Sequence, residues 1–127
     1  QNETADDLAK LGYDVVQQPN LIPTELTELG LNPNKKPDYL INGQVFDAYS
    51  PTSSRARNIW ENIRAEKLQT GQTRRVVLNL DDSKVDLDAL NQQFKDFPMT
   101  AEYDGKTVQL EEVVFVRDGK VVGGWTP

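Results

Sequence analysis

The sequence predicts a mixed α/β (α+β) fold in one domain that spans residues 1–127. Apolar residues at helical spacing alternate along the chain with short runs of β-branched residues, and Gly, Pro and Asn separate these segments. The chain is long enough to bury one hydrophobic core and too short for two ordinary domains. Its composition, 37% hydrophobic and 27% charged residues, is typical of a globular protein.

The first half of the chain predicts one helix, three strands and a long loop. Apolar residues at helical spacing follow the N-terminus, and Gly12 is a stop signal for this helix. The dipeptide Asn42-Gly43 lies between two apolar runs and readily adopts positive φ, so it predicts a hairpin with a two-residue turn. The predicted elements are a helix over residues 4–11, a strand over 13–17, a loop with room for one helical turn over 19–36, and the hairpin over 38–49.

The second half predicts two helices and several short strands. Pro51 ends the second hairpin strand, and Ser53 or Ser54 can cap the helix that follows. In the tail, the turn dipeptides Asp104-Gly105 and Asp118-Gly119 separate short apolar runs. The predicted elements are a helix that ends at about residue 68, a strand over 75–80 that is buried on both faces, a helix over 85–97, and short strands over 108–110, 113–116 and 121–122.

The chain contains no Cys and no His. Disulfides, thiolate nucleophiles and cysteine metal sites are therefore excluded, together with the commonest general base and the commonest metal ligand. This inventory rules out zinc hydrolases, Ser-His-Asp catalysis and two-histidine ribonuclease mechanisms. Any chemistry must use carboxylates, hydroxyls, Lys or Arg.

The net charge of −6 is unevenly distributed along the chain. Residues 34–75 contain eight Lys or Arg and four acids, whereas residues 1–33 contain one Lys and six acids and residues 76–127 contain five basic and ten acidic residues. Contacts with phosphate require Lys and Arg. We therefore expect the candidate chemistry and any contact with nucleic acid in the central third.

No run of apolar residues approaches the roughly 20 needed to cross a bilayer. The N-terminus lacks the basic and apolar regions of a signal peptide, and the chain begins with Gln1 rather than Met. We expect a fragment of a larger protein with no membrane span of its own.

Two carboxylates on the predicted hairpin occupy places where a nuclease site can form. Asp38 follows Pro37 at the start of one strand, and the triplet Asp47-Ala48-Tyr49 lies late in the partner strand. Two carboxylates at one strand end can hold a divalent cation such as Mg²⁺ against a phosphate. With its predicted α-β-β-β-α-β core, this layout resembles the PD-(D/E)XK nuclease fold with extra C-terminal strands.

The third position of the motif departs from that superfamily, which normally has Lys where this sequence has Tyr49. A phenol can donate to a phosphate oxygen or orient a ribose hydroxyl, so a metal-free route stays open in which the 2′-OH attacks its own phosphate. Asp38 and Asp47 are metal ligands only in the metal-dependent alternative. In the metal-free alternative, the Thr52 hydroxyl and the Arg57 guanidinium can stabilise the developing charge.

Each candidate also has a purely structural interpretation. Asp38 can satisfy turn amides, and Asp47 can be a solvent-facing strand residue. Trp60 shares an apolar stripe with Ile59 and Ile63, which favours a core position over a platform on which bases stack.

Longer stretches of the sequence resemble the C-terminal tRNase domains of CdiA-type contact-dependent growth inhibition toxins. They span nearly the whole chain, and the Pro-Asp-Tyr-Leu and Asp-x-Tyr-Ser-Pro elements are the more specific ones. The stretches are Asn2-Glu3-Thr4-Ala5 through Leu8-Ala9, Gly12-Tyr13-Asp14-Val15, Pro37-Asp38-Tyr39-Leu40 through Asp47-Ala48-Tyr49-Ser50-Pro51, and Gly71-Gln72-Thr73 through Leu80.

This resemblance implies an antibacterial ribonuclease toxin, part of a larger secreted or cell-surface effector, that cleaves tRNA in the cytoplasm of a target bacterium. It also implies a cognate immunity protein that neutralises the toxin, and some related toxins use elongation factor Tu to present the tRNA. The catalytic residues that the resemblance implies are Asp38, Asp47 and Tyr49, with Thr52, Arg57 and Trp60 as neighbours.

Two kinds of alternative stay open at this point. Toxin tRNases also occur on a barnase/EndoU/colicin/RelE-like sheet, which works without metal, and the absence of the motif Lys keeps that architecture as the second choice. The rival functions are a metal-dependent DNase toxin and a non-catalytic binding module whose acidic surface mimics nucleic acid. A 2′-OH mechanism cannot cut DNA, so the choice of substrate separates the first rival from a ribonuclease.

Overall fold

The computed structural model describes the backbone of residues 2–127 and the side chains of residues 5–127. No helix within these residues is long and apolar enough to cross a bilayer. The helices are α1 (Asn2–Lys10), α2 (Pro23–Glu28), α3 (Ala56–Ile63), which continues as a π-helical segment (Arg64–Leu68), and α4 (Leu87–Asp96). The strands are β1 (Val15–Gln17), β2 (Tyr39–Ile41), β3 (Gln44–Tyr49), β4 (Arg75–Asn79), β5 (Thr100–Tyr103), β6 (Lys106–Gln109), β7 (Glu112–Arg117) and β8 (Lys120–Trp125).

Six strands form one mixed sheet in the order β1-β2-β3-β4-β7-β8, and β5 and β6 form a separate hairpin. Strands β1, β2 and β3 are antiparallel, whereas β3, β4 and β7 are parallel and β8 runs antiparallel to β7. The parallel pair β3–β4 needs a crossover connection, and α3 with its π-helical segment provides it. The predicted α-β-β-β-α-β core and the extra C-terminal strands are therefore confirmed.

The hydrophobic core lies on both faces of this sheet. On one face, Ile59 and Ile63 of α3 and Phe94 of α4 belong to a cluster with the strand residues Val76 and Leu78. On the other face, the α1 residues Ala5 and Leu8 belong to a cluster with Val77 of β4 and Val114 of β7. Because side chains alternate along a strand, β4 supplies both clusters and is buried on both sides, as predicted.

Two elements differ from the sequence prediction because packing between distant segments stabilises them. Residues 23–28 form the six-residue helix α2 within the predicted loop, and its Leu26 packs with Leu31 and Val45. Strand β5 was not predicted, because only Ala101 of its four residues is buried and the strand therefore lacks an alternating apolar pattern. It pairs with β6 across the predicted Asp104-Gly105 turn, in which both residues have positive φ.

The predicted caps of α3 are wrong. The N-cap is Arg55, and its side chain makes no capping hydrogen bond. Ser53 instead accepts a hydrogen bond from the Arg55 backbone N–H at 3.1 Å, which stabilises the turn that precedes the helix. The helix also does not stay regular to residue 68, because residues 64–68 are π-helical and the Gln69 N–H donates to the Arg64 carbonyl at 2.9 Å. π-helical segments are rare in proteins, and those that occur often lie at functional sites.

Candidate active site

The structure brings the two predicted carboxylates together. Asp47 lies on β3, and Asp38 lies one residue beyond the end of the β2–β3 register, in which Tyr39 pairs with Phe46. The Asp38 backbone N–H donates to Asp47 Oδ1 at 2.9 Å, and the Ala48 backbone N–H donates to Asp38 Oδ2 at 3.0 Å. These two bonds hold both side chains at one end of the hairpin. The amide that Asp38 accepts from belongs to Ala48 of β3, whereas its structural interpretation predicted a turn amide.

Lys67 completes this group and was not predicted. Its Nζ donates to Asp47 Oδ2 at 3.1 Å from the π-helical segment that follows α3. The sequence carried a weak signal, because Lys67 continues the four-residue spacing of Ile59 and Ile63 and therefore lies on the sheet-facing side of the helix. A lysine on an apolar stripe is a candidate for a buried ion pair.

The Asp47 carboxyl is almost fully buried, with 1% of the residue exposed, so the interpretation as a solvent-facing strand residue is wrong. Burial raises the pKa of Asp47 and the nearby charge of Asp38 raises it further, whereas Lys67 and the Asp38 N–H lower it. The pKa of Tyr39 is raised to about 12, mainly by burial and also by the charges of Asp38 and Asp47. Tyr39 is therefore a neutral phenol at physiological pH.

Asp38 and Asp47 also have the chemistry that a Mg²⁺ site requires. Mg²⁺ is commonly held by one or two carboxylates, with waters and substrate phosphate oxygens as its other ligands. Within the side chains that the structure describes, no group of three or more His, Cys, Asp or Glu residues could hold a metal ion. The two carboxylates supply oxygen ligands, but Asp47 Oδ1 accepts from the Asp38 N–H and Asp47 Oδ2 from the Lys67 ammonium, so a Mg²⁺ ion at this buried carboxyl would have to displace Lys67.

Tyr49 lies two residues after Asp47 and is half-buried beside the core. Asn62 of α3 donates its Nδ2 to the Tyr49 hydroxyl at 2.9 Å. This bond uses an acceptor lone pair of the phenol and leaves the hydroxyl proton available for donation. Asn62 is a residue that sequence analysis missed, since its pairing with Tyr49 depends on how α3 packs on the sheet.

The side chains of the other three predicted residues form no hydrogen bond or ion pair with the two carboxylates in the described part of the chain. Thr52 and Arg57 are exposed, and within the described part of the chain neither side chain makes a hydrogen bond or an ion pair. Trp60 is half-buried against the core, and its Nε1 donates to the Phe97 carbonyl at 2.9 Å. The core interpretation of Trp60 agrees with this geometry, and the catalytic roles of all three stay predictions.

The free energy of unfolding should depend on pH through Asp47. Its pKa is higher in the folded than in the unfolded protein. Protonated Asp47 therefore stabilises the folded state at pH values below its pKa in the unfolded protein. This contribution to the free energy of unfolding is lost as pH rises through its pKa in the folded protein. We expect the unfolding free energy of Asp47→Asn minus that of wild type to increase as pH rises from about 4, near the unfolded pKa, through the raised folded pKa. Urea titrations followed by Trp fluorescence would measure it.

The matched control for this measurement is Asp82→Asn, which changes an exposed carboxyl in the turn after β4. A difference between Asp47→Asn and wild type that stays flat or decreases over this pH range would contradict the effect of burial on Asp47.

Comparisons with known proteins show which family the chain belongs to. Residues 35–121, which contain Asp38, Asp47 and Lys67, match the sequence model described as "Contact-dependent growth inhibition CdiA C-terminal domain". The protein named tRNA nuclease CdiA-2 of Burkholderia pseudomallei (strain 1026b) is 38% identical over 113 residues, which are 89% of this chain and 3% of that relative. The present chain therefore spans only a small part of the length of that relative.

A solved structure supports the same relationship for the fold. The CdiA-CT/CdiI toxin and immunity complex from Burkholderia pseudomallei contains a chain that is 34% identical, with a TM-score of 0.78 over 99% of this chain and 81% of that chain. The matched sequence model alone covers more than half of the residues. The chain therefore belongs to the family of CdiA C-terminal domains of contact-dependent growth inhibition.

Proposed function

We propose that this domain is an antibacterial toxin with ribonuclease activity that cleaves tRNA. The observation that carries the proposal is the cluster of Asp38, Asp47 and Lys67, which joins two carboxylates and an ammonium at one strand end within the basic third of the chain. Supporting it, the curated relative is named a tRNA nuclease. The chain has no His or Cys, so carboxylates, hydroxyls, Lys or Arg must carry the chemistry.

In the PD-(D/E)XK motif a lysine normally occupies the position of Tyr49. Lys67 supplies the positive charge that this lysine would provide. Its ammonium lies against Asp47 Oδ2 and is 18% exposed, so it can face both the carboxylate and a substrate phosphate. Preorganised charge of this kind stabilises the developing negative charge on a phosphate in the transition state. The Tyr49 hydroxyl, held by Asn62, donates its proton to a phosphate oxygen or to a ribose hydroxyl.

A Mg²⁺ ion held by Asp38 and Asp47 would polarise the phosphate as a Lewis acid. In the metal-free alternative, the half-buried Asp38 carboxylate accepts the proton of the ribose 2′-OH as that oxygen attacks phosphorus. The bond to the 5′-oxygen breaks, the Tyr49 hydroxyl protonates this leaving oxygen, and Lys67 neutralises the charge on the phosphate. The two routes use the same residues and differ in their response to EDTA.

The proposal extends to the partners of the domain. We propose that it is the toxin end of a larger cell-surface effector, that it acts in the cytoplasm of the target bacterium, and that an immunity protein neutralises it in the producer. Supporting the last point, the similar solved structure is a toxin and immunity complex. Because residues 34–75 carry eight basic residues, an acidic face of the immunity protein should cover this segment and block access to phosphate.

Total bacterial tRNA incubated with the purified domain tests this function. We expect discrete tRNA fragments and no degradation of double-stranded DNA. Parallel reactions with Mg²⁺ or EDTA distinguish the two routes, since only the metal-dependent one is stopped by the chelator. A further reaction with elongation factor Tu tests whether the factor presents the tRNA, as we propose for a domain with acidic ends. Degraded DNA beside intact tRNA would instead support a metal-dependent DNase.

A further inference from the structure

A cleft of about 490 Å³ adjoins the carboxylate pair, and the proposed chemistry does not use it. It lies between two loops, one that follows β1 and one that leads into β2. Asp38 belongs both to this cleft and to the candidate active site. The lining residues are Gln18, Pro19, Asn20, Leu21, Lys35, Lys36, Pro37 and Asp38.

Hydrogen bonds connect both walls of the cleft to the elements that carry the active site. The Gln18 backbone N–H donates to the Asp38 carbonyl at 2.7 Å. Gln18 has a φ of 46°, a conformation that is rare outside glycine and is often retained at functional sites. On the other wall, Gln72 donates its Nε2 to the Lys36 carbonyl at 2.9 Å. This hydrogen bond connects the loop that contains Lys36 to the segment that follows Lys67.

The lining combines the groups that recognise a nucleotide. Lys35 and Lys36 are exposed, and neither forms an ion pair with a carboxylate of the described residues. Gln18 and Asn20 contribute side-chain amides that can donate and accept hydrogen bonds. Pro19, Leu21 and Pro37 contribute apolar surface. The volume lies in the range of roughly 300–1,000 Å³ that small-ligand sites occupy.

We propose that this cleft is a nucleotide subsite, which holds the residue of the RNA substrate next to the scissile phosphate. Lys35 and Lys36 each bind one adjoining backbone phosphate, and the amides of Gln18 and Asn20 bind the edge of the base. The shared residue Asp38 places this nucleotide directly beside the reacting bond. The inference rests on the proposed ribonuclease function and deepens it, because it assigns substrate positioning to residues outside the carboxylate cluster.

The test compares tRNA binding in the Asp47→Asn background, in which we expect cleavage to be slow, with and without the double substitution Lys35→Gln/Lys36→Gln. Fluorescence anisotropy is recorded between about 50 and 200 mM salt. We expect the two cleft substitutions to weaken binding about tenfold at low salt. The slope of log affinity against log salt should decrease by about 1.4, since each phosphate contact in single-stranded RNA contributes about 0.7. The matched control is Lys84→Gln/Lys95→Gln, at exposed lysines that do not line the cleft.

A second variant fills the cleft without changing its charge. Asn20→Met places a longer apolar side chain, which cannot bind the base edge, at an exposed lining position and should also weaken binding, but with an unchanged salt slope. In the background with Asp47 intact, both cleft variants should raise KM for tRNA cleavage much more than they lower kcat.

The outcomes separate this inference from the proposed function. If wild type cleaves tRNA and the cleft variants bind tRNA like the lysine control, the subsite is wrong while the ribonuclease stands. If the cleft variants lose affinity for the immunity protein and keep it for tRNA, an acidic protein segment occupies the cleft and the subsite is again wrong. If wild type neither cleaves nor binds tRNA, both proposals fail.

Discussion

Replacing Asp47 by Asn should lower the rate of tRNA cleavage by about a hundredfold to a thousandfold, because the loss of one preorganised polar group at a reacting centre has an effect of this size. The substitution keeps the shape of the side chain and removes its charge. That charge pairs with Lys67 and lies beside Asp38, so its loss disturbs the centre of the proposed site. Single-turnover cleavage of tRNA by equal amounts of wild type and variant measures the effect.

The control for this experiment is Asp82→Asn, which removes a carboxylate at an exposed turn and should cleave at the wild-type rate. Far-UV circular dichroism of both variants shows whether the sheet is retained. If the Asp47→Asn variant keeps its fold and cleaves within tenfold of wild type, Asp47 is not part of the reacting centre.

Replacing Lys67 by Met should affect both activity and stability. The variant keeps an unbranched side chain that is one atom shorter, and it leaves Asp47 buried without its counter-charge, so cleavage should fall by about a hundredfold or more. The loss of stability at neutral pH should be about 2 kcal/mol, below the roughly 3–5 kcal/mol of a fully buried pair, because Lys67 is 18% exposed. Urea titrations measure the stability, and the same cleavage assay measures the activity.

Two further variants show whether the effect belongs to the ion pair. The double variant Asp47→Asn/Lys67→Met should be more stable than the sum of the single changes predicts, since no unpaired charge stays buried. Lys95→Met, at an exposed position of α4, is the matched control for the loss of one lysine. Strictly additive losses at Asp47 and Lys67 would contradict a stabilising pair.

The features that sequence analysis predicted correctly depend on residues that are neighbours along the chain. Asn42 and Gly43 have positive φ, as the turn dipeptide required, and the hairpin register that follows places Asp38 opposite Asp47. The apolar run of β4 marked a strand buried on both faces. The proximity of Asp38 and Asp47 could therefore be predicted, because one hairpin carries both.

The features that it missed depend on contacts between segments that are distant in the chain. Lys67 reaches Asp47 across 20 residues, through a π-helical segment that no local pattern indicates. Asn62 likewise meets Tyr49 only because α3 packs against the sheet. The same reason explains why Asp47, which a strand pattern alone allows to face solvent, is buried. Turn chemistry and periodicity act over a few residues, whereas the third charge of the site and the burial that shifts the pKa of Asp47 arise from packing.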